Sequence, residues 1–177
     1  MKLKSFKNLF SSKGFTLIEL LIVIAVLGVL AAGVLVAIDP GEQLARGRDA
    51  SRKSSISQLG RAIQAYYTAN GAYLDASVGV PTGWRAILLA AGDIKVFPSV
   101  VPNTPVFTCT GGPENGFCYR GSPTTTDMVV STRMESKSER NKCAGGVATW
   151  YVYSTAEGKA GLYCNATDPP VGVTGLL

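Results

Sequence analysis

The chain is expected to fold as an α+β protein: a long N-terminal helix packed on a small antiparallel β-sheet head. Three observations predict this. Residues 15–38 form a run of 24 residues with a single charge, Glu19. Ile56, Leu59, Ala62, Ile63, Tyr66 and Tyr67 recur at helical spacing. Beyond residue 105, short segments rich in strand-forming residues alternate with glycine- and proline-containing turns. The length of 177 residues suits one domain of modest size with an appended element.

The apolar run comes first in the chain. At about 1.5 Å per residue, 24 helical residues span roughly 36 Å, enough to cross a bilayer core of about 30 Å. Lys2, Lys4, Lys7 and Lys13 precede it, so the N-terminal end is expected to stay cytoplasmic, with everything after Ile38 outside. Two plainer readings compete. One is an ordinary secretory signal peptide cut near the small residues Ala31, Ala32 and Gly33. The other is a simple single-span anchor with Glu19 near the headgroups. The run is longer than a usual signal core, and a carboxylate five residues into it is costly unless paired. Gly28 and Gly33 either allow close helix approach or reflect the tolerance of membrane helices for glycine.

The stretch Lys13-Gly14-Phe15-Thr16-Leu17-Ile18-Glu19-Leu20-Leu21 resembles the class III leader and mature start of type IV pilins and type II secretion pseudopilins. The likeness is close over residues 13–38, looser in the helix that follows, and says little about residues 95–177. It implies that a prepilin peptidase cuts between Gly14 and Phe15 on the cytoplasmic side and methylates the new amine. Residues 1–14 are then a removed leader, and residues 15–38 stay attached. The freed Phe15 amine and the Glu19 carboxylate lie one helical turn apart and can pair within or between helices. In a low-dielectric core each charge needs a partner, so this pair is expected to set the axial register of packed helices. The resemblance also implies an assembly platform and, indirectly, its cytoplasmic ATPase as partners.

Asp39, Pro40 and Gly41 follow the apolar run and are expected to break or kink the helix. Asp39 has the chemistry to cap a new helix that starts at Pro40. Residues 46–55 are polar, contain Gly47 and show no strong apolar face. Two outcomes stay open for 39–47: a stable kinked helix, or a segment that extends when subunits pack. Residues 39–70 form the extracytoplasmic half of the long helix, ending at Asn70-Gly71.

Residues 71–177 are expected to form the head. Thr82–Gly92 reads as a short helix, followed by a loop punctuated by Pro98, Pro102 and Pro105. Strands are expected at Val106–Cys109, Phe117–Tyr119, Asp127–Met134, Val147–Ser154 and Gly161–Cys164, with TGGPENG and Ala156–Lys159 as turns. The sign-alternating run Arg133–Lys142 reads as an exposed loop. The four cysteines suggest two disulfides in an oxidising compartment. Four cysteines allow three connectivities; Cys109–Cys118 and Cys143–Cys164 are favoured because each pair brackets a turn or hairpin. Zinc is disfavoured by the spacing and the missing histidine.

Function follows from these parts. Lys+Arg 17 against Asp+Glu 12 gives +5, but four lysines sit in the first fourteen residues and leave a nearly neutral body. Such a body gives no basic footprint for DNA, which stays an unsupported partner. The absence of histidine removes His-based triads, bases and metal ligands, and no phosphate loop or nucleophile elbow is present. No enzyme activity and no cofactor are expected. The expected role is a structural subunit, a type IV pilin, stored in the membrane and polymerised through its apolar helix into a surface filament. The alternatives are a type II secretion pseudopilin of a periplasmic filament and a secreted or anchored binding domain with an ordinary signal peptide.

Overall fold

The computed structural model describes residues 14–76, 83–99 and 109–177. The leader residues 1–13, the expected helix start at Thr82, Pro102 and Pro105, and residues 106–108 of the first expected strand lie outside them. The chain forms two compact units, Met1–Pro40 and Gly41–Leu177.

In the first unit, α1 covers Leu17–Ile38 and none of its side chains is buried. Its length and composition suffice to cross a membrane. Asp39 ends it with a left-handed backbone, φ 46° and ψ 78°. The helix break is narrower than the sequence suggests. Only Asp39 leaves helical geometry, while Pro40 and Gly41 already open α2, Pro40–Asn70. Proline is tolerated there because the first helical N–H groups lack intrahelical acceptors anyway. Gly47 and its polar neighbours are helical as well.

The second unit is built on α2. Ile56, Leu59 and Ile63 are fully buried, and Tyr66 packs beside them. Tyr67 instead stays 40% exposed and stacks on Tyr73 with ring centroids 4.3 Å apart. A short helix α3, Trp84–Ala91, ends at Gly92, whose φ of 81° suits a left-handed cap. Five strands follow: β1 Gly112–Glu114, β2 Phe117–Arg120, β3 Val129–Arg133, β4 Thr149–Ser154 and β5 Lys159–Cys164. They form an antiparallel meander in chain order. The first hairpin is tighter than expected: part of the anticipated turn is strand β1, and the reversal is Asn115-Gly116, both with positive φ. That pairing of residues favours a two-residue hairpin turn whose twist matches the strands.

Side chains alternate between the two faces of the sheet. Phe117, Tyr119, Val130 and Tyr153 meet α2, Trp84 and Phe97 on one face. Val129, Trp150 and Val152 meet Val173 and Leu176 of the C-terminal tail on the other. The tail has no regular structure of its own, yet Leu176 is buried and Leu177 exchanges two backbone hydrogen bonds with Leu162 on β5. The expected exposed loop Arg133–Lys142 is a correction. It starts in β3, buries Met134 and Ser136, and contains a one-turn helix, α4, Lys137–Arg140. Both disulfides have the favoured pairing, Cys109–Cys118 and Cys143–Cys164.

The approach of α2 to the sheet is closest at Gly60, where an added Cβ would lie 2.4 Å from the Tyr153 ring. Gly60→Ala is expected to destabilise the head by about 1–3 kcal/mol through overpacking. Chemical denaturation of the full chain in detergent, followed by Trp84 and Trp150 fluorescence, measures this.

Candidate functional site

The N-terminal site begins at Gly14 and Phe15. Gly14 has open space around its Cα, and Phe15 is 87% exposed, so the bond between them is accessible in the chain. Thr16 is the N-cap of α1. Its backbone N–H and its hydroxyl both donate to Glu19 Oε2 at 2.8 Å. The Glu19 N–H donates back to Thr16 Oγ1 at 3.3 Å. This is a reciprocal capping box, which satisfies two of the helix's orphan donors. The sequence reading of Glu19 looked only to the Phe15 amine and missed it. The Thr-x-x-Glu spacing of residues 16–19 was the available signal. The two readings are compatible in geometry: the box holds the carboxylate one residue away from the nitrogen that cleavage would free.

A second polar cluster lies within the head and was not foreseen. Asp49 and Arg52 on α2 are each 1% exposed. Arg52 Nη1 donates to Asp49 Oδ1 at 2.6 Å, and Nη2 to Glu135 Oε2 at 3.1 Å. Asp49 also accepts the backbone N–H of Glu135 at 3.0 Å and that of Ser136 at 2.8 Å. Arg48 adds a two-nitrogen contact to Glu135. Its hydrogen bonds, together with those from Arg52, outweigh burial and hold the Glu135 carboxyl below the ordinary range. Two turns earlier, Glu42 accepts the N–H groups of Lys137 at 2.9 Å and Ser138 at 3.0 Å. Lys53 and Lys142 both reach Glu139, at 2.8 and 3.0 Å. The segment 135–142 is thus tied to the first turns of α2 by paired, largely desolvated charges. Residues 46–55 lacked an apolar face in the sequence because their inward face is ionic.

Residues 9–35 match the model of the prokaryotic N-terminal methylation motif. This stretch is the class III prepilin leader shared by type IV pilins and pseudopilins. No curated protein matches the chain. The leader supports a structural subunit of pilin or pseudopilin type and a membrane-anchored precursor processed by a prepilin peptidase. In a leader of this kind Gly14 and Phe15 flank the expected cut, Glu19 is the fifth residue beyond it, and α1 stays on the product.

The remaining sequence-expected residues fall elsewhere. Cys109, Cys118 and Asp168 lie close enough to suggest a metal site. Disulfide sulfurs are not thiolate ligands, however, and Asp168 is engaged by Thr110 and by Arg120 at 3.2 Å. Cys143–Cys164 anchors the far end of the 135–142 segment to the end of β5.

Two outcomes test the ionic tie. Asp49→Ala leaves Arg52 buried beside a single carboxylate and uncaps the N–H groups of Glu135 and Ser136. A loss of about 3–5 kcal/mol is expected in denaturant titration. The Glu42 carboxyl is lowered to about 2, first by the Lys137 N–H, against burial, with help from Ser138 and Arg46. Its folded form prefers the anion, so its contribution is complete above the ordinary carboxyl range and fades as the pH falls toward about 2. The stability difference between wild type and Glu42→Gln should therefore be full at about pH 6 and shrink toward zero near about pH 2. Urea titrations at the two pH values check it.

Proposed function

We propose that the protein is a type IV pilin, cut between Gly14 and Phe15, methylated at Phe15, and polymerised through α1 into a surface filament. The observation that carries this is α1 itself. It has 22 residues and a prepilin leader at its start, and it buries no side chain in its own chain. A helix that is apolar all round needs lipid or other helices around it. Storage in the membrane and packing in a filament core are two states that supply those surroundings. On leaving lipid for the core, the Phe15 amine of one subunit would meet Glu19 of its own or a neighbouring chain, fixing the axial step. An assembly platform and its ATPase would drive the transfer.

The head's sheet supports assembly through helices rather than through strand exchange. β1 is only three residues long and contains Pro113. The outer edge of β5 is covered by Leu177 at Leu162. Short and covered edges discourage edge-to-edge pairing. A pseudopilin would use the same α1 and the same processing, so the place of the filament decides between the two. Surface fibres containing this chain fit the pilin, and a fibre confined to the periplasm fits the pseudopilin.

The test is mass spectrometry of purified fibres together with the Glu19→Ala variant. The mature chain is expected to start at N-methylated Phe15. Glu19→Ala should insert in the membrane normally, while filament yield falls about a hundredfold, as loss of one partner from a desolvated charge pair costs about 3–5 kcal/mol. A mature start downstream of Val34, or a normal fibre yield from the variant, would refute the assignment.

A further inference from the structure

Charge is distributed unevenly over the second unit. The segments 42–53 and 133–142 carry eight cations and four carboxylates, a net of +4. The rest of residues 41–177 carries five cations and six carboxylates, a net of −1. The two basic segments are one surface. Glu42 holds the backbone of Lys137 and Ser138, Arg48 holds Glu135, and Lys53 and Lys142 share Glu139. All four carboxylates are occupied within the cluster: Asp49 is buried against Arg52 and backbone N–H groups, and the others are paired as described. Cations keep the solvent side. The Arg46 and Lys142 side chains remain 51% and 50% exposed, and Lys137 and Arg140 are exposed too.

Along the chain, this surface follows directly on the apolar helix. Glu42 is the fourth residue after Ile38, with Asp39 the single non-helical residue between α1 and α2. At about 1.5 Å per helical residue and up to about 3.8 Å across the non-helical Asp39, Arg46 lies within roughly 14 Å of chain beyond Ile38. A headgroup layer several Å thick plus a Debye length of about 8 Å covers that interval. The bond from Glu42 to the 137–138 backbone brings the second basic segment to the same level of the chain.

We propose that this +4 surface docks on anionic phospholipid headgroups of the outer leaflet while the subunit is stored in the membrane. The inference rests on the membrane-held precursor of the preceding reading. Each exposed lysine or arginine adds a headgroup attraction that salt screens. Duplex DNA offers the same anionic chemistry, but its approach is not set by the chain; the span ending at Ile38 delivers the surface to lipid. On entry into a filament the contact is lost, so the lipid attraction opposes extraction and favours storage.

The test uses the full chain in nanodiscs of phosphatidylglycerol mixed with phosphatidylcholine, and of phosphatidylcholine alone. Amide deuterium exchange of residues 137–146 is the readout. Exchange is expected to slow about threefold or more in the anionic discs, and the difference should vanish at about 0.5 M salt. The triple variant Arg46→Gln, Arg140→Gln, Lys142→Gln should remove it while lowering the denaturation midpoint only slightly, because the Arg46 and Lys142 pairs are half exposed. Lys142→Gln alone should weaken it if the triple variant folds poorly. Equal exchange in both lipids, or undiminished slowing in a folded triple variant, overturns the proposal. Slowing by a short DNA duplex in phosphatidylcholine discs that exceeds the slowing in anionic discs would assign the surface to nucleic acid instead. Co-elution of intact chain with the discs is scored separately: its failure sinks the membrane-held reading, not the lipid preference.

Discussion

A carboxylate one turn inside an uncharged apolar helix must be satisfied in every environment that helix enters. Lipid, a filament core and the isolated chain differ in what they offer Glu19, and water is available in only the last. Thr16 supplies a local answer, donating its N–H and hydroxyl to one carboxylate oxygen. This keeps the side chain folded back over the first turn rather than extended. A charge held that way is pre-organised toward the helix start, where an amine freed at Phe15 would lie. The capping box therefore lowers the entropic cost of the pair proposed to set axial register. The rest of α1 needs only to be apolar and regular.

The head handles charge by the opposite strategy. There, Asp49 and Arg52 are withdrawn from water, and both Asp49 oxygens are spent on defined donors. Such buried ion pairs contribute little net stability over an apolar equivalent, since desolvation offsets attraction. What they give is geometry. An apolar contact between α2 and residues 135–138 would tolerate sliding by a fraction of a turn. Asp49 capping two successive backbone N–H groups does not, because a shift leaves buried polar atoms unpaired. Glu42 repeats the arrangement two turns earlier. The two ties, with Cys143–Cys164 at the far end of the segment, hold α2 helical from its first turns despite Gly47 and a polar composition. Extension of the whole interval 39–47 would have to break the Glu42 tie, whereas at Asp39 the helical geometry is already interrupted.

Periodicity and hydropathy were enough to read α1, the apolar face of α2 at Ile56, Leu59 and Ile63, and the later strands. Each of those signals is local and repeats. The disulfide pairing was legible for a related reason: nearest-neighbour cysteines bracket hairpins, so chain proximity and spatial proximity coincide. The ionic tie was not legible. Its partners are 83 to 96 residues apart, and a charged run reads as solvated unless the opposing charges are known to face it. The Arg133–Lys142 segment failed for that reason, with four of its ten residues cationic and its two carboxylates turned inward. The capping box was legible but masked by a stronger idea. The Phe15 amine explained Glu19 so fully that the Thr16 spacing went unused.

The two units divide the work of assembly between them. A polymerising protein must keep one surface sticky and every other surface inert, or it aggregates without symmetry. Here the sheet's faces are filled, one by α2 and α3 and the other by the C-terminal tail. Its β5 edge is capped by the same tail, and its β1 edge is short and broken by proline. Charged side chains cover the base of α2. Among the described residues, α1 remains unsatisfied: none of its 22 residues is buried. Sealing the head thus removes competing modes of association and leaves the helix as the route by which copies can join. A head with an open sheet edge would offer strand pairing as a competing mode of association. On the proposed filament reading, the covered edge serves ordered growth as much as the apolar helix does.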